Sequence, residues 1–209
     1  HTEFVKVDSG VLLPNFIKEC MKVGISCLEQ LYCIPGTIGG AVYVNAGIPS
    51  FEISDVLISI ECIDKTNGTQ VFLTRDNINM KYRNGNIHKN LIITSAKLKT
   101  SKADMADLKE TIRKIQKKRF ESQPIGMPTC GSTFKNPPGL KAWQLIKESN
   151  CDRLSVGGAA VSDKHCNFLI NTGNATASDF YNLIQTIKEV VSKKTGILLE
   201  EEIIIIGKY

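Results

Sequence analysis

Three segments hold residues whose types and spacing could do chemistry. Residues 130–137 read Cys-Gly-Ser-Thr-Phe-Lys-Asn-Pro. Gly131 lets the backbone come close to a ligand, and Ser132 could then offer its hydroxyl proton to a group bound there. Alone, the same Gly-Ser step reads as a surface turn whose hydroxyl bonds local backbone. Residues 199–206 read Leu-Glu-Glu-Glu-Ile-Ile-Ile-Ile. With a period of two, Glu200 and Glu202 share a face with Ile204 and Ile206, while Glu201 lies opposite. Four consecutive isoleucines predict cover on both faces, which places Glu202 where burial begins. A carboxylate there is paired, perturbed in its pKa or used, whereas three glutamates in a row are ordinarily solvated. The third segment runs from Ile34 to Gly47 and carries glycines at 36, 39, 40 and 47. Such density lets backbone pack against a flat or phosphorylated ligand with peptide N–H groups as donors; a tight structural turn is the alternative. It is not the dinucleotide-binding G-x-G-x-x-G, and no βαβ pattern surrounds it.

The elements that must position these residues are of mixed type. Residues 4–7 and 91–98 read as strands. Val56, Ile58, Ile60 and Cys62 predict one face of a half-buried strand over 56–63, and Asn67-Gly68 turns it into a partner over 71–73. Pro14 suits a first helical turn, Phe16, Ile17, Cys20 and Met21 form its apolar stripe, and Gly24 ends it. Met105, Leu108, Ile112 and Ile115 recur at helical spacing in a stretch ending near Ser122. The proline- and glycine-rich residues 123–138 read as a connector or site loop, which sets a domain boundary there. Beyond it come a short helix near 142–147, strand-like pieces at 157–161 and 166–171, and a long helix capped by Thr176 with Asp179 and ended by Gly196. A terminal strand over 198–206 completes an α+β plan.

Composition narrows the classes. The chain has 209 residues, 42% apolar and 22% charged, which suits a globular protein with a sizeable core. No apolar run reaches the roughly 20 residues of a membrane span, and no signal peptide is visible, so the expectation is a cytoplasmic protein without membrane partners. Seven scattered cysteines without a C-x-x-C, and three dispersed histidines, His1, His88 and His165, argue against a disulfide framework or a metal site. Much of the net charge of +5 lies on Lys109, Arg113, Lys114, Lys117, Lys118 and Arg119. That reads as the solvated face of an amphipathic helix; no DNA- or RNA-binding signature accompanies it, and the expectation is no nucleic acid.

The 34–47 segment, the Tyr82-Arg83 pair, Gly-Ser-Thr-Phe-Lys-Asn-Pro at 131–137, His165-Cys166-Asn167-Phe168 and the acidic-isoleucine run at 199–207 occur in a familiar order and spacing. Over essentially its whole length the chain resembles the MurB family, UDP-N-acetylenolpyruvoylglucosamine reductase (UDP-N-acetylmuramate dehydrogenase). The compact stretch 83–132 resembles its type II form. The resemblance implies a partial FAD-binding domain of the PCMH, vanillyl-alcohol-oxidase-like type over 1–122, followed by a smaller α+β substrate-binding domain over 123–209. The family's N-terminal segment, with its Gly-rich G-x-G-S-N loop, has no counterpart, so the FAD-binding domain is expected to be N-terminally incomplete.

In the family NADPH reduces FAD, and reduced flavin passes hydride to the enolpyruvyl group of UDP-N-acetylglucosamine enolpyruvate, giving UDP-N-acetylmuramate for peptidoglycan. The resemblance implies catalytic roles for Ser132 as proton donor and for Arg83 and Glu202 as stabilisers of the enolate-like intermediate. It implies flavin contacts from Ile34, Pro35, Gly36, Thr37, Gly39, Gly40 and Asn45, and substrate contacts from Gly131, Lys135 and Asn136. A monomer acting on a UDP-sugar, with FAD and NADPH and no metal, is expected. The alternative is a redox-inactive remnant that binds the nucleotide sugar only. Chemically, Arg83 suits a carboxylate that gathers charge, because its guanidinium is always charged and fork-shaped. Glu202 suits the task only as the neutral acid, donating a hydrogen bond. Gly85 stands where the family carries a serine, which predicts a looser arginine loop.

Overall fold

The computed structural model describes residues 3–207. His1 and the outer ends of both predicted domains lie outside that range. The chain divides into two compact units, His1–Lys118 and Arg119–Tyr209.

The first unit is built on a four-stranded antiparallel sheet. Strand β1 (Phe4–Asp8) leads through α1 (Leu13–Lys22), the short β2 (Ile25–Ser26), α2 (Ile38–Tyr43) and the small β3 (Gly47–Ile48) and β4 (Phe51–Glu52) pair. Next come β5 (Leu57–Asp64), β6 (Gln70–Thr74), α3 (Arg75–Ile78), β7 (Leu91–Lys99), β8 (Ser101–Lys102) and α4 (Met105–Ser122), within whose length the division between units falls. Sheet order is β1-β7-β5-β6, with β2 and β8 pairing separately. As the sequence predicts, Pro14 lies in the first turn of α1, Gly24 takes a left-handed φ of 69° after it, and Gly68 turns β5 into β6. Phe16 and Ile17 of α1, Ile38 and Val42 of α2, and Ile60, Ala96 and Leu98 of the sheet pack in one core. A fully buried side chain of this size contributes about 1.5–3 kcal/mol, so this core is what holds the glycine-rich segment in place.

Two local readings need correction in this unit. The predicted stripe of Val56, Ile58, Ile60 and Cys62 breaks, because Leu57, Ile60 and Cys62 are buried while Ile58 is exposed. The pairing of β5 with β7 shifts register between Leu57 and Ser59, and the extra residue of a bulge moves the alternation to the other face. Secondly, residues 38–43 form a helix that their glycines did not suggest. Thr37 caps it, accepting from the Gly40 N–H at 3.2 Å, and burial of Ile38, Ala41 and Val42 outweighs the weak helical preference. On α4 Leu108 and Ile112 are buried, whereas Lys109, Arg113, Lys114, Lys117 and Lys118 are exposed, a solvated basic face.

The second unit holds β9 (Thr129–Ser132), α5 (Ala142–Glu148), β10 (Ser155–Val156), β11 (Ala159–Val161), β12 (Phe168–Asn171) and α6 (Ala177–Thr195). Its sheet order is β10-β11-β12-β9. Residues 129–132, read as part of a connector, are thus an edge strand. The piece predicted at 157–161 starts only at Ala159, because Gly157, at a φ of 54°, lies in the turn that joins β10 to β11. The piece predicted at 166–171 starts only at Phe168, because Phe168 N–H donates to the His165 carbonyl and closes a turn.

The terminal strand predicted over 198–206 is not a ladder strand: it makes one isolated bridge, Phe134 with Glu201. The period of two survives, since Leu199, Ile203 and Ile205 pack on the core, but Ile204 and Ile206 are 72% and 86% exposed. Cover on both faces, inferred from the four isoleucines, is therefore not found among the described residues.

Helix α6 is fixed at both ends as predicted. The Thr176 hydroxyl accepts from Asp179 N–H at 3.1 Å, Asp179 Oδ2 accepts from Thr176 N–H at 2.8 Å, and Gly196 is left-handed. These bonds, from Thr176 first and then Gly158, hold the Asp179 carboxyl below its ordinary range. A depressed carboxyl gives stability that is present above the unfolded pKa and lost as pH falls through the folded one. Thr176→Ala should cost about 1 kcal/mol in urea denaturation, and Asp179→Asn should flatten the acid limb of the stability curve.

Candidate functional site

In the first unit the arginine motif is a tight turn. Lys81 N–H donates to the Asn84 carbonyl at 2.8 Å and Asn84 N–H to the Lys81 carbonyl at 2.9 Å, with Tyr82 and Arg83 between them. Arg83 sits at a φ of 52°, in the third turn position that normally favours glycine. A non-glycine residue held so costs on the order of 1–3 kcal/mol and needs its surroundings to enforce it. The enforcing contacts are visible. Arg83 Nη2 donates to the Gly47 carbonyl at 2.8 Å, Nη1 lies 3.8 Å from Glu52 Oε1, and Cζ stands 4.9 Å from the Tyr82 ring centre.

Asn45 joins the same assembly from the glycine-rich segment. It is 1% exposed, its Nδ2 donates to Glu52 Oε2 at 2.7 Å and to the Lys81 carbonyl at 2.9 Å, and its Oδ1 accepts from Ser54 N–H at 3.2 Å. Both amide hydrogens are used inside the protein. Its neighbour in this cluster, Glu52, orients Arg83 and carries no motif signal; sequence reasoning passed it over.

The other glycine-segment residues divide by where their backbone points. Ile38 N–H donates to Val11, Gly39 N–H to Ser9 and Gly40 N–H to the Thr37 hydroxyl. A Cβ on Gly39 would press within 2.7 Å of Ser9 Cβ, so that glycine serves close packing. Pro35 and Gly36 are exposed, Ile34 and Thr37 half-buried, and the N–H groups of Gly36 and Thr37 bond no acceptor among the described residues. Gly85 departs from expectation. Its N–H donates to the Tyr43 carbonyl at 3.0 Å, and a Cβ there would run into the Val42 and Tyr43 carbonyls. The arginine loop is pinned at Gly85, not loosened.

In the second unit the serine motif and the acidic segment lie side by side. Ser132 ends β9 opposite Phe168 of β12. Glu202 N–H donates to the Thr133 carbonyl and Lys135 N–H to the Glu200 carbonyl, both at 2.8 Å. Glu202 is thereby paired with the residue after Ser132. Gly131 takes a φ of 85° with open space where a Cβ would stand, so conformation rather than crowding requires glycine there. The Ser132 side chain is half-buried and bonds no partner among the described residues.

Lys135 pairs with Glu200, and Asn136 Oδ1 accepts from Ala142 N–H at 3.0 Å, holding the start of α5. Lys188 Nζ reaches Glu201 Oε1 at 2.7 Å. Burial alone would raise the Glu201 carboxyl, but the Lys188 bond and charge, with a backbone bond, outweigh it and hold the group below its ordinary range.

Asn167, quoted in a motif but given no role by the sequence, binds both polar groups of Phe134. Its Oδ1 accepts from Phe134 N–H at 2.9 Å and its Nδ2 donates to the Phe134 carbonyl at 2.8 Å. His165 accepts from Asn167 N–H at Nδ1 over 3.2 Å, which fixes it as the neutral ring. Burial pushes the His165 pKa below its ordinary value. The catalytic triad expected from sequence is thus divided between units, Arg83 in the first and Ser132 with Glu202 in the second.

Two outcomes follow. Gly85→Ala should lower stability by about 1–3 kcal/mol in urea denaturation, because backbone carbonyls must move. The unfolded chain protonates His165 before the folded chain does, so its contribution is present above about pH 6.5 and lost as pH falls. His165→Phe should flatten the decline of the urea midpoint between about pH 7.5 and 5.5.

Known proteins extend this geometry. Residues 123–206 match the family described as UDP-N-acetylenolpyruvoylglucosamine reductase, C-terminal domain. The UDP-N-acetylenolpyruvoylglucosamine reductase of Orientia tsutsugamushi (strain Ikeda) is 42% identical over 208 residues, covering 100% of this chain and 68% of its own length. That of Carboxydothermus hydrogenoformans is 40% identical, covering 98% of this chain and 68% of itself. The crystal structure of UDP-N-acetylenolpyruvylglucosamine reductase (MurB) from Thermus caldophilus superposes with a TM-score of 0.85 at 31% identity, over 97% of this chain and 72% of that one. With its serine, arginine and acidic motifs all present in the aligned span, the chain belongs to the UDP-N-acetylenolpyruvoylglucosamine reductase (MurB) family.

Proposed function

We propose that the protein reduces the enolpyruvyl group of UDP-N-acetylglucosamine enolpyruvate to give UDP-N-acetylmuramate, using FAD and NADPH, as a cytoplasmic monomer. The first unit is read as part of a PCMH-like FAD-binding domain and the second as the substrate-binding domain. The carrying observation is the placement of Ser132. Its backbone is paired to β12, the following residue is paired to Glu202, and its hydroxyl bonds no partner among the described residues.

The residues fit a flavin at the exposed turn formed by Pro35, Gly36 and Thr37. Two successive N–H groups stand there without a protein acceptor among the described residues, as a bound pyrophosphate or ring edge would use them. When bound, FAD supplies the hydride. The chain's own residues handle the charge and the proton. Arg83 holds the substrate carboxylate, onto which negative charge moves as the double bond is saturated at its far carbon. Glu202, whose N–H bonds the Thr133 carbonyl, is assigned with Arg83 to stabilise the same intermediate. Ser132 gives its proton to the carbon beside the carboxylate, forming the second C–H bond, and solvent returns a proton to the alkoxide. Arg83 suits its part because the Gly47 carbonyl and Glu52 preset its guanidinium, so little entropy is lost on binding.

Flavin reduction by NADPH and its reoxidation by substrate, followed separately by stopped-flow absorbance, test the assignment. Ser132→Ala should leave reduction intact and slow reoxidation by about 10²–10⁴-fold. Reoxidation at the wild-type rate removes Ser132 from the mechanism.

A further inference from the structure

The main chain around Ser132 loses its neighbour just where the chemistry needs it fixed. Strand β12 begins at Phe168, and the chain before it turns away through residues 162–167. Ser162 N–H donates to Phe168 and Phe168 N–H to His165. Beyond Ser132, therefore, β9 has no strand to pair with on that edge. Thr133 N–H still reaches the Asn167 carbonyl at 2.8 Å. Phe134 comes next, 1% exposed, with both its N–H and its carbonyl facing this edge. Left unmade, each buried bond would cost about 1–3 kcal/mol.

The Asn167 side chain supplies both bonds, one as acceptor and one as donor. A primary amide has the same donor and acceptor as a peptide group, so it stands in for one further residue of the missing strand. Because Phe134 offers one donor and one acceptor, only one amide orientation satisfies it. On the opposite edge, Thr133 and Lys135 are bonded to Glu202 and Glu200. Residues 133–135 are thus tied on both sides, directly after Ser132. Asn167 is 4% exposed, so water offers little substitute.

We propose that Asn167 is a positioning residue for Ser132: its amide completes the ladder at Phe134 and holds the serine hydroxyl where it delivers its proton. This rests on the reading of Ser132 as proton donor. It predicts a kinetic defect in one half-reaction, since a displacement of about 1 Å at a reacting group can cost on the order of a hundredfold.

The test is a double-mutant cycle on the full protein, read as substrate-dependent flavin reoxidation at saturating substrate. Asn167→Asp keeps the acceptor for Phe134 N–H but sets an oxygen against the Phe134 carbonyl; Asn167→Ala removes both bonds. Each should slow reoxidation about tenfold to a hundredfold while NADPH-driven flavin reduction stays unchanged. In the Ser132→Ala background the same substitutions should change reoxidation less than about twofold, since no serine remains to position. Wild-type reoxidation in the Asn167 variants overturns the proposal, as does an equal slowing with and without Ser132, the signature of a general structural role. If Ser132→Ala itself reoxidises at the wild-type rate, the reading of Ser132 fails and this proposal falls with it. Should Asn167→Ala not fold, Asn167→Asp and Asn167→Ser carry the same cycle.

Discussion

A buried backbone that cannot leave its polar groups unpaired governs the second unit. Thr133 and Phe134 are buried between the end of β12 and residues 199–203, and their N–H and carbonyl groups must find partners. The solution draws on three stretches far apart in sequence: β12 up to Phe168, the main chain and side chain of Asn167, and the backbone of Glu200 and Glu202. Once these are in place, Ser132 has one backbone geometry, and Glu202 lies across from the residue that follows it. The serine and the acidic motif are neighbours as a by-product of satisfying Phe134's surroundings.

The first unit obeys the same rule with a different residue. Asn45, itself left-handed at a φ of 49°, uses its amide to join the glycine segment, the Glu52 carboxylate and the Lys81 carbonyl of the arginine turn. Arg83 then adopts an unfavourable φ because its guanidinium is held by Gly47 and Glu52. In each unit a buried asparagine, able to donate and accept at once, clamps the loop that bears a residue assigned to the chemistry. Gly85 and Gly39 contribute differently, by leaving room for backbone and side chain to approach.

Local signals read well where the governing physics was itself local. Thr176 with Asp179 and Gly196 bound α6, Pro14 and Gly24 bound α1, and Asn67-Gly68 turned a hairpin, because caps and turns act within a few residues. Reading failed where long-range pairing decided. The bulge at Ile58 depends on β7, the helix 38–43 on the core beneath it, and the loss of the terminal strand on there being one bridge rather than a ladder beside it. No local signal marks the partners of Asn45; its burial and its bonds to Glu52, Lys81 and Ser54 are set by residues 7 to 36 positions away.

By itself the sequence determined the family, through motifs whose order and spacing survive translation into any fold, and it determined which residue types are available: a serine after glycine, an arginine beside tyrosine, a glutamate before isoleucines. It also determined element ends, since capping and left-handed turns are decided by residues within hydrogen-bond reach along the chain. Tertiary structure alone decided which groups remain available. Hydrogen-bond capacity is finite and is assigned in space, so only the folded units show that Asn45 and Asn167 spend their amides inside the protein, that Glu52 orients Arg83, and that the Ser132 hydroxyl bonds no partner among the described residues.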